Sequence, residues 1–455
     1  MARITLFALV GAALTAPTAS LAHAFGQQYT LPLPVSFYIA GGLFAFVASC
    51  VVLLFFADPR HSRRRIAATV SFGPRVARVA NAAFAIAGLA VFFASIGAAL
   101  FGIDAYAVNP VPNFFWVIFL VLFVYANALI GGLWARADPL RRIAAMFAYA
   151  EGIAARSQWL HFLPVVFFFG LLWLELLSPG WGVSPFTLGV ILLGYVALTV
   201  AGSSFFGISR WFGSAELFSS FFGIIGRVAP IQLEKGEISL QPPGERLVED
   251  EPRHIGTLLF IVLMLGSTVL DGLRETRVWW NITSPFPSAS PSVVQGIALV
   301  LVPLALLALY VLAVWGMKML ARSSLSLSAL NLRFAYSLVP IAVAYHFAHY
   351  FGLIFDQGQR IIPQLSDPLS RGWDLWGTAD YQFRVGILGA DTIWYIQLGA
   401  IVFSHILAAV VAHRIARRVF ATRHVVMVSQ IPMLVLMVFF TAFGLWTLAQ
   451  PFFIA

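Results

Sequence analysis

The residues of this chain that could carry chemistry are three histidines and two carboxylates inside or beside long apolar runs. His346 and His349 lie three residues apart in one run, and His405 lies in a later one. Asp271 and Glu175 are near the ends of two others. Ionisable side chains at membrane depth are costly, so each of the five is a candidate for function.

Imidazoles and carboxylates together are typical ligands of zinc and other divalent first-row transition metals. A metal with an open coordination position lowers the pKa of a bound water to near 7 and makes it a nucleophile. The three histidines therefore predict a metal site with His346, His349 and His405 as ligands. Asp271 and Glu175 are then the candidate catalytic groups, as ligand, orienter of a ligand, or base.

A histidine in an apolar run can also have a purely structural role. The i, i+3 spacing puts His346 and His349 on one helical face, but it lacks the full signature of a helix-borne zinc protease. Any single histidine could be hydrogen-bonded to a neighbouring helix or lie in the interfacial aromatic belt. A haem held between His405 and His346 or His349 is a third alternative.

The elements that must position these residues are membrane-spanning helices. Of 455 residues, 60% are hydrophobic and 10% are charged, which excludes an ordinary soluble globular protein. Runs of about 20 apolar residues can cross a bilayer as helices. The predicted fold is an all-α, polytopic membrane helix bundle with about ten spans. They are expected near 36–56, 79–101, 114–134, 160–177, 185–206, 255–272, 293–317, 332–355, 391–413 and 427–448.

Short basic clusters between the apolar runs supply the net charge of +9, which is a topology signal and not a nucleic-acid-binding face. All clusters fall on the cytoplasmic side only if the short apolar stretch 213–229 does not cross. We therefore expect 213–229 to be re-entrant or interfacial, with both mature termini outside a bacterial inner membrane. The clusters comprise Arg60, Arg63, Arg64, Arg65, Arg75 and Arg78; Arg136, Arg141, Arg142 and Arg156; Lys318 and Arg322; Arg414, Arg417, Arg418 and Arg423.

The chain is expected to divide into two membrane halves. Residues 1–22 have the pattern of a cleaved signal peptide, and a new N-terminus at His23 would form a metal-chelating group. The first half, 23–231, is followed by a hydrophilic cytoplasmic linker, 232–254, and a second half, 255–455. Cys50 is the only cysteine, so neither a disulfide nor a cysteine metal site can form within one chain.

This topology predicts that four helices deliver the five candidate residues to the outer half of the bilayer. The long outer loop, 356–390, could form a lid over the site with Asp367, Trp373, Asp374 and Trp376. The alternative is an interfacial aromatic anchor with ordinary Asx turns.

Four segments carry a resemblance to a known family: SDPLSRGWDLWGTADY (366–381), WYIQLGAIVFSHILAAVVAHR (394–414), AHAFGQQYTLPLP (22–34) and MLGSTVLDGL (264–273). The chain resembles, over most of its length, bacterial polytopic membrane proteins labelled fenitrothion hydrolase. The resemblance implies hydrolysis of the aryl ester bond of an organophosphorus triester, with release of a nitrophenol. It implies no particular catalytic residues.

The expected function is a membrane-embedded, metal-dependent phosphoric triester hydrolase whose substrate is apolar and reaches an outward-facing site from the lipid. A second membrane subunit is a further expected partner, and nucleic acid is not. The main alternative is a transporter or channel for protons or a metal ion that uses the same residues. A haem-carrying or purely assembling membrane subunit is a third class.

Overall fold

The computed structural model describes residues 35–450 except 57–67, 149–151, 153–156, 179, 235, 287–289 and 385. In this part of the chain, nine helices are long and apolar enough to cross a membrane. A further helix, α1 (Val35–Phe56), contains a shorter apolar segment, Ser36–Val51. The predicted all-α membrane bundle is therefore confirmed. The predicted signal peptide 1–22, His23, Arg60, Arg63, Arg64, Arg65 and Arg156 lie outside the described residues.

The long helices follow α1 in chain order and are joined by shorter ones. The long helices are α2 (Pro74–Phe101), α3 (Pro110–Leu129), α6 (Gln158–Leu176), α7 (Pro185–Phe206), α11 (Ile255–Arg274), α13 (Pro291–Ala321), α14 (Leu327–Asp356), α16 (Ala390–Val419) and α17 (Arg423–Leu448). The shorter helices are α4 (Leu133–Ala137), α5 (Pro139–Phe147), α8 (Ile208–Ser214), α9 (Leu217–Ile225), α10 (Glu245–Glu249), α12 (Arg277–Thr283) and α15 (Ile361–Ser366).

A small sheet closes one end of the bundle. It contains β1 (Ala68–Ser71), β2 (Ile130–Gly131), β3 (Ile231–Glu234) and β4 (Glu237–Leu240), in the order β1-β4-β3-β2. The β3–β4 and β4–β1 pairs are antiparallel, and β2 pairs in parallel with β3. We call this end the sheet face and the end that carries residues 357–389 the loop face. The sheet joins three connections that are distant in sequence.

The pairing of β2 with β3 determines the course of residues 207–230. Because α6 and α7 cross in opposite directions after β2, the chain is back at the sheet face when α8 begins, and β3 is also at that face. The segment α8–α9 therefore returns to the side from which it starts, as predicted for 213–229. Phe222 and Ile225 of α9 are almost fully buried, and Asn127 Nδ2 donates to the carbonyl oxygen of Phe222 at 2.7 Å. Protein thus covers this re-entrant backbone.

Helices α11 and α14 form the centre of the bundle. Of the long helices, α11 is the most buried and α2 is among the most exposed. Large apolar side chains such as Phe93 on α2 and Leu312 on α13 face outward, as expected of a lipid-facing surface. Close packing of α11 on α13 depends on Gly266, where a Cβ atom would lie 2.8 Å from Cα of Pro303.

The linker predicted at 232–254 is folded against the sheet face. It supplies most of the β3–β4 hairpin and all of α10, in which Glu245 is fully buried. Both carboxylate oxygens of Glu245 accept from the guanidinium of Arg414, each at 2.6 Å. This bidentate pair connects the linker to α16.

A histidine and carboxylate site beside an apolar cavity

Helices α11 and α14 bring three of the predicted residues together near the loop face. Asp271 lies in the last turn of α11, and His346 and His349 lie on α14. The two helices pack side by side, so the spacing of three residues on α14 gives both imidazoles access to the same region.

Asp271 is the hub of a buried hydrogen-bond network. His349 Nε2 lies 2.9 Å from Asp271 Oδ2, and the Tyr350 hydroxyl donates to the same oxygen at 2.8 Å. The other carboxylate oxygen faces Arg274 Nη1 at 3.5 Å. Asp271 is only 4% exposed, and a buried carboxylate needs such partners to be stable. When Nε2 of His349 carries the proton, it donates to the carboxylate of Asp271, which fixes the orientation of the imidazole. Nδ1 of His349 is then the ring nitrogen that can accept a hydrogen bond.

A cavity of about 190 Å³ adjoins this network. Its wall is formed mostly by apolar side chains of α3, α6, α9, α11 and α14. A few polar groups interrupt it: Glu175, Ser267, Thr268, His346, Tyr350, Tyr106 and Gln357. A largely apolar pocket with a few polar groups is the usual form of a small-molecule site.

Part of the wall belongs to an unusual stretch of α3. Residues Phe114–Leu122 form a π-helix, and Trp116, Val117, Leu120 and Val121 of this stretch line the cavity. Long π-helical segments are rare and occur frequently at functional sites. At the loop face, the Tyr106 hydroxyl donates to Gln357 Oε1 at 2.8 Å, which connects two loops beside the cavity.

His346 lies in the cavity wall between two aromatic rings. Its ring centroid is 4.8 Å from that of Tyr350 and 5.7 Å from that of Tyr125. The Nδ1 atom of His346 is buried and has no hydrogen-bond partner among the described residues. An unpaired buried nitrogen is costly unless a ligand or water satisfies it. His346 and Glu175 are the two of the five predicted residues that line the cavity.

His405 lies in a different environment from the other two histidines. Its Nδ1 is 2.8 Å from the carbonyl oxygen of Ile401, one turn earlier on α16. Its ring packs against those of Phe46 on α1 and Tyr345 on α14. Tyr345 and His346 are successive residues and so point in directions about 100° apart on the helix. His405 thus faces a neighbouring side of α14 and is absent from the cavity lining.

The predicted metal ligands consequently do not form a ready-made site. No three His, Cys, Asp or Glu side chains within the described part of the chain are grouped so that they could hold a metal ion. His349 is engaged by Asp271, and His405 is bonded to its own helix. A metal at this position would require His349 to exchange its bond to Asp271 for a bond to the ion. The donor set as it stands does not fit the predicted three-histidine centre.

Two of the four predicted lid residues, Asp367 and Asp374, stabilise the loop itself. Asp367 accepts from the backbone N–H groups of Arg371 and Gly372 at 2.8 and 2.7 Å. Asp374 accepts from the Ser366 hydroxyl at 2.7 Å, and this bond, with one from the Ala379 N–H, lowers the pKa of Asp374. These contacts are the Asx turns of the alternative interpretation.

The two tryptophans of this loop are exposed to different degrees. Trp376 is 72% exposed and Trp373 is 41% exposed. None of the four residues belongs to the described cavity lining, so their role as a lid stays a prediction.

Sequence reasoning missed Tyr350, which shares Asp271 with His349. A tyrosine within an apolar run carries no charge signal, but its position four residues after His346 places it on the same face of α14. The hydrogen bond that makes it part of the site crosses between helices, and spacing along one helix cannot predict that.

Comparison of the chain with protein-family models, curated proteins and solved structures found no match. The substrate class therefore rests on the residues of this chain and on the resemblance of its motifs.

Proposed function

We propose that this protein is a membrane-embedded hydrolase that cleaves the aryl ester bond of an apolar organophosphorus triester, of the fenitrothion type, at an outward-facing site. The observation that carries the proposal is the position of the His346 ring in the wall of an apolar cavity. The adjoining network of Asp271, His349 and Tyr350 supplies the fixed charge and orientation that a hydrolytic site requires.

The chemistry of the cavity agrees with this substrate class. Phosphotriesters are uncharged and apolar, so they partition into the membrane and can enter a site bounded mainly by Leu, Val and Phe side chains. The nitrophenolate that leaves is stable in water and needs little help from a general acid.

On this proposal His346 is the general base. A nitrogen of its neutral ring accepts a proton from a water molecule in the cavity while the water oxygen attacks phosphorus. The bond from phosphorus to the aryl oxygen breaks, and the nitrophenolate leaves with that electron pair. The proton then passes from His346 to solvent or to the phenolate. Asp271 holds the ring of Tyr350 in position, and Tyr350 in turn packs against the ring of His346.

The first test replaces His346 by Gln and measures nitrophenol release by detergent-purified protein. Removal of a general base typically lowers a rate by about 10²–10⁴-fold, so we expect kcat to fall within that range with little change in KM. His424→Gln, an exposed histidine at the sheet face, is the matched control and should keep full activity. Equal rates for both variants would overturn the role of His346.

Metal dependence stays a separate prediction. Metal analysis of the same preparations, with His346→Ala and His405→Ala beside the wild type, decides it. A stoichiometric metal that is lost in both variants would support the three-histidine centre. Activity that persists without stoichiometric metal would support the histidine base alone.

One feature favours the alternative of proton or ion transport. Asp138 and Glu216 are buried and do not line the cavity, so buried ionisable side chains are not confined to the site at the loop face, as expected in a transporter. Proteoliposomes with an internal pH dye distinguish the functions: proton flux that is lost in Glu216→Gln but retained in His346→Gln would favour transport.

A further inference from the structure

Two carboxylates are buried together between α5, α7 and α9, and neither lines the cavity described above. Asp138 caps the N-terminus of α5 and is 3% exposed, and Glu216 caps α9 and is 0% exposed. Both approach the same residue. Glu216 Oε2 accepts from the backbone N–H of Ser219 at 2.6 Å, and the Ser219 hydroxyl lies 3.5 Å from Asp138 Oδ2. The two acidic groups are therefore close neighbours, separated by one serine.

The hydrogen bonds of the two groups differ. Glu216 also accepts from the Phe218 N–H at 3.0 Å and from the Tyr195 hydroxyl at 2.7 Å. Three donors suit an ionised carboxylate. Asp138 accepts from the Arg141 N–H at 3.1 Å, whereas its contact with the Ser219 hydroxyl is long. Asp138 is thus the less well stabilised as an anion.

Few cations compensate these groups. Arg141, on α5, is the nearest basic residue that acts on Asp138, and its guanidinium lies 5.6 Å from the ring centroid of Phe212. On α4, Arg136 donates to the carbonyl oxygens of Gly132 and Leu233. Arg210 is the basic residue of α8, Arg142 donates to the backbone of Arg136, and α9 has no ionisable residue. Two buried like charges with so little compensation cannot both remain ionised cheaply.

Two further polar features lie on the elements that hold the pair. Thr199 lies one helical turn after Tyr195 on the same face of α7, and its hydroxyl is buried with no partner among the described residues. Ser219 also lines a polar cavity of about 290 Å³ near the sheet face, together with Ser214, Ser220, Thr257, His161 and Arg227. The serine hydroxyl therefore connects this cavity to Asp138.

We propose that Asp138 and Glu216 form a carboxylate pair that binds one proton and exchanges it with the polar cavity through the hydroxyl of Ser219. The proton resides on Asp138 Oδ2 and is donated toward Ser219 Oγ, while Glu216 stays ionised and keeps its three donors. Burial, with the negative charge of Glu216 next to it, raises the pKa of Asp138 to about 7, which agrees with exchange near neutral pH.

The pair also has a route to influence the outer cavity. Glu216 caps α9, and Phe221 and Ile225 of the same helix line the cavity beside His346. A carboxylate at a helix N-terminus stabilises the helix through its capping bonds and the helix dipole. A change in the charge of the pair therefore acts on an element that forms part of the wall of the outer cavity.

Infrared spectra of the full-length protein in lipid nanodiscs, titrated from about pH 5 to pH 9, test the pair directly. We expect the carbonyl stretch of one protonated carboxyl group to disappear with a midpoint near pH 7. Asp138→Asn should abolish this band. Glu216→Gln keeps the shape of the side chain but removes its charge, so it should lower the midpoint by roughly one pH unit. Ser219→Ala should slow the exchange of the band into D₂O.

Asp250→Asn is the matched control, because Asp250 is exposed and paired with Arg227; it should leave the band and its midpoint unchanged. The proposal is overturned if the wild type shows no titrating carboxyl band, or if the band persists unchanged in both Asp138→Asn and Glu216→Gln. None of these measurements depends on hydrolysis of a triester, so the outcome is independent of the proposed catalytic function.

Discussion

At the residue scale, the site near the loop face depends on a single carboxylate. Asp271 is the common acceptor for His349 and Tyr350, and the ring of Tyr350 packs against that of His346. One buried oxygen atom of Asp271 thus orients the side chains of two successive residues of α14, His349 and Tyr350. Because the network lies in a region of low dielectric, each of its bonds is stronger than in water, and each unpaired member is more costly.

Replacing Asp271 by Ala should therefore destabilise the protein. The change leaves the Tyr350 hydroxyl and His349 without their acceptor, at a cost of about 1–3 kcal/mol for an unsatisfied buried group. Tyr350→Phe removes only one bond and should cost about 0.5–1.5 kcal/mol. Thermal unfolding in detergent measures both.

Asp380→Ala in the exposed part of the loop is the control and should leave Tm unchanged. Asp271→Ala with the Tm of the wild type would show that the network contributes nothing to stability.

The sequence predicted the surroundings of some candidate residues better than those of others. Asp271, Glu175, His346 and His349 could be chosen because ionisable groups in apolar runs are conspicuous, and the structure brings these four to one region. His405 could be assigned a depth but not a direction, because a rotation of α16 by a few tens of degrees decides which neighbour its ring meets. Tyr350 and Asp138 gave no comparable signal, since their roles depend on partners from other helices.

At the scale of elements, the shape of the cavity depends on how closely α11 packs against α13. A Cβ atom added to Gly266 would meet three atoms of Pro303 at 2.7–2.9 Å. Pro303 lies inside α13, where proline prevents one backbone hydrogen bond and usually bends the helix. The glycine and the proline thus form a matched contact one residue before Ser267, which lines the cavity.

Gly266→Ala should therefore destabilise the bundle by about 1–3 kcal/mol, the usual cost of overpacking, and should also lower nitrophenol release. Gly170→Ala on α6 is the control, because a Cβ atom there meets nothing within 4 Å. It should be neutral or slightly stabilising. The comparison of the two Tm values separates a packing effect from a general effect of glycine in helices.

Charge distribution predicted the course of the element that the hydropathy pattern left ambiguous. The stretch 213–229 is apolar enough to suggest a short span, and only the requirement that all basic clusters share one side indicated a re-entrant segment. The structure adds what charge could not supply: the segment is two helices, α8 and α9, separated at Glu216, and α9 lines the cavity.

At the scale of the whole molecule, the sheet unites the connections at one end of the bundle. It pairs the strand after α1 with the linker and the linker with the strand after α3. The pair of Glu245 and Arg414 then holds the linker to α16. The two halves of the chain are thereby joined outside the membrane as well as within it.

The predicted orientation can be tested by thiol labelling, since Cys50 is the only cysteine and is buried. In a Cys50→Ser background, Gln382→Cys at the loop face should react with an impermeant reagent on intact cells. Thr69→Cys in β1 should react only in inverted membrane vesicles. Both positions are exposed. Labelling of Thr69→Cys on intact cells would reverse the orientation.

The sequence by itself determined the class of fold and the approximate spans. The length of an apolar run indicates whether a helix can cross the membrane, and the basic clusters indicate on which side each connection lies. Both concern position along the membrane normal and can be predicted from the sequence. The small sheet and the folded linker were not predicted, because their strands are short and pair across long separations in sequence.

Only the tertiary structure decided which residues meet. The position of a side chain in the plane of the membrane depends on how its helix is rotated and packed. The apolar pattern of a membrane span specifies this rotation only weakly, because the lipid and the protein interior are both apolar. That freedom places His349 and Tyr350 on Asp271, leaves His346 facing the cavity, and turns His405 toward Phe46 and Tyr345.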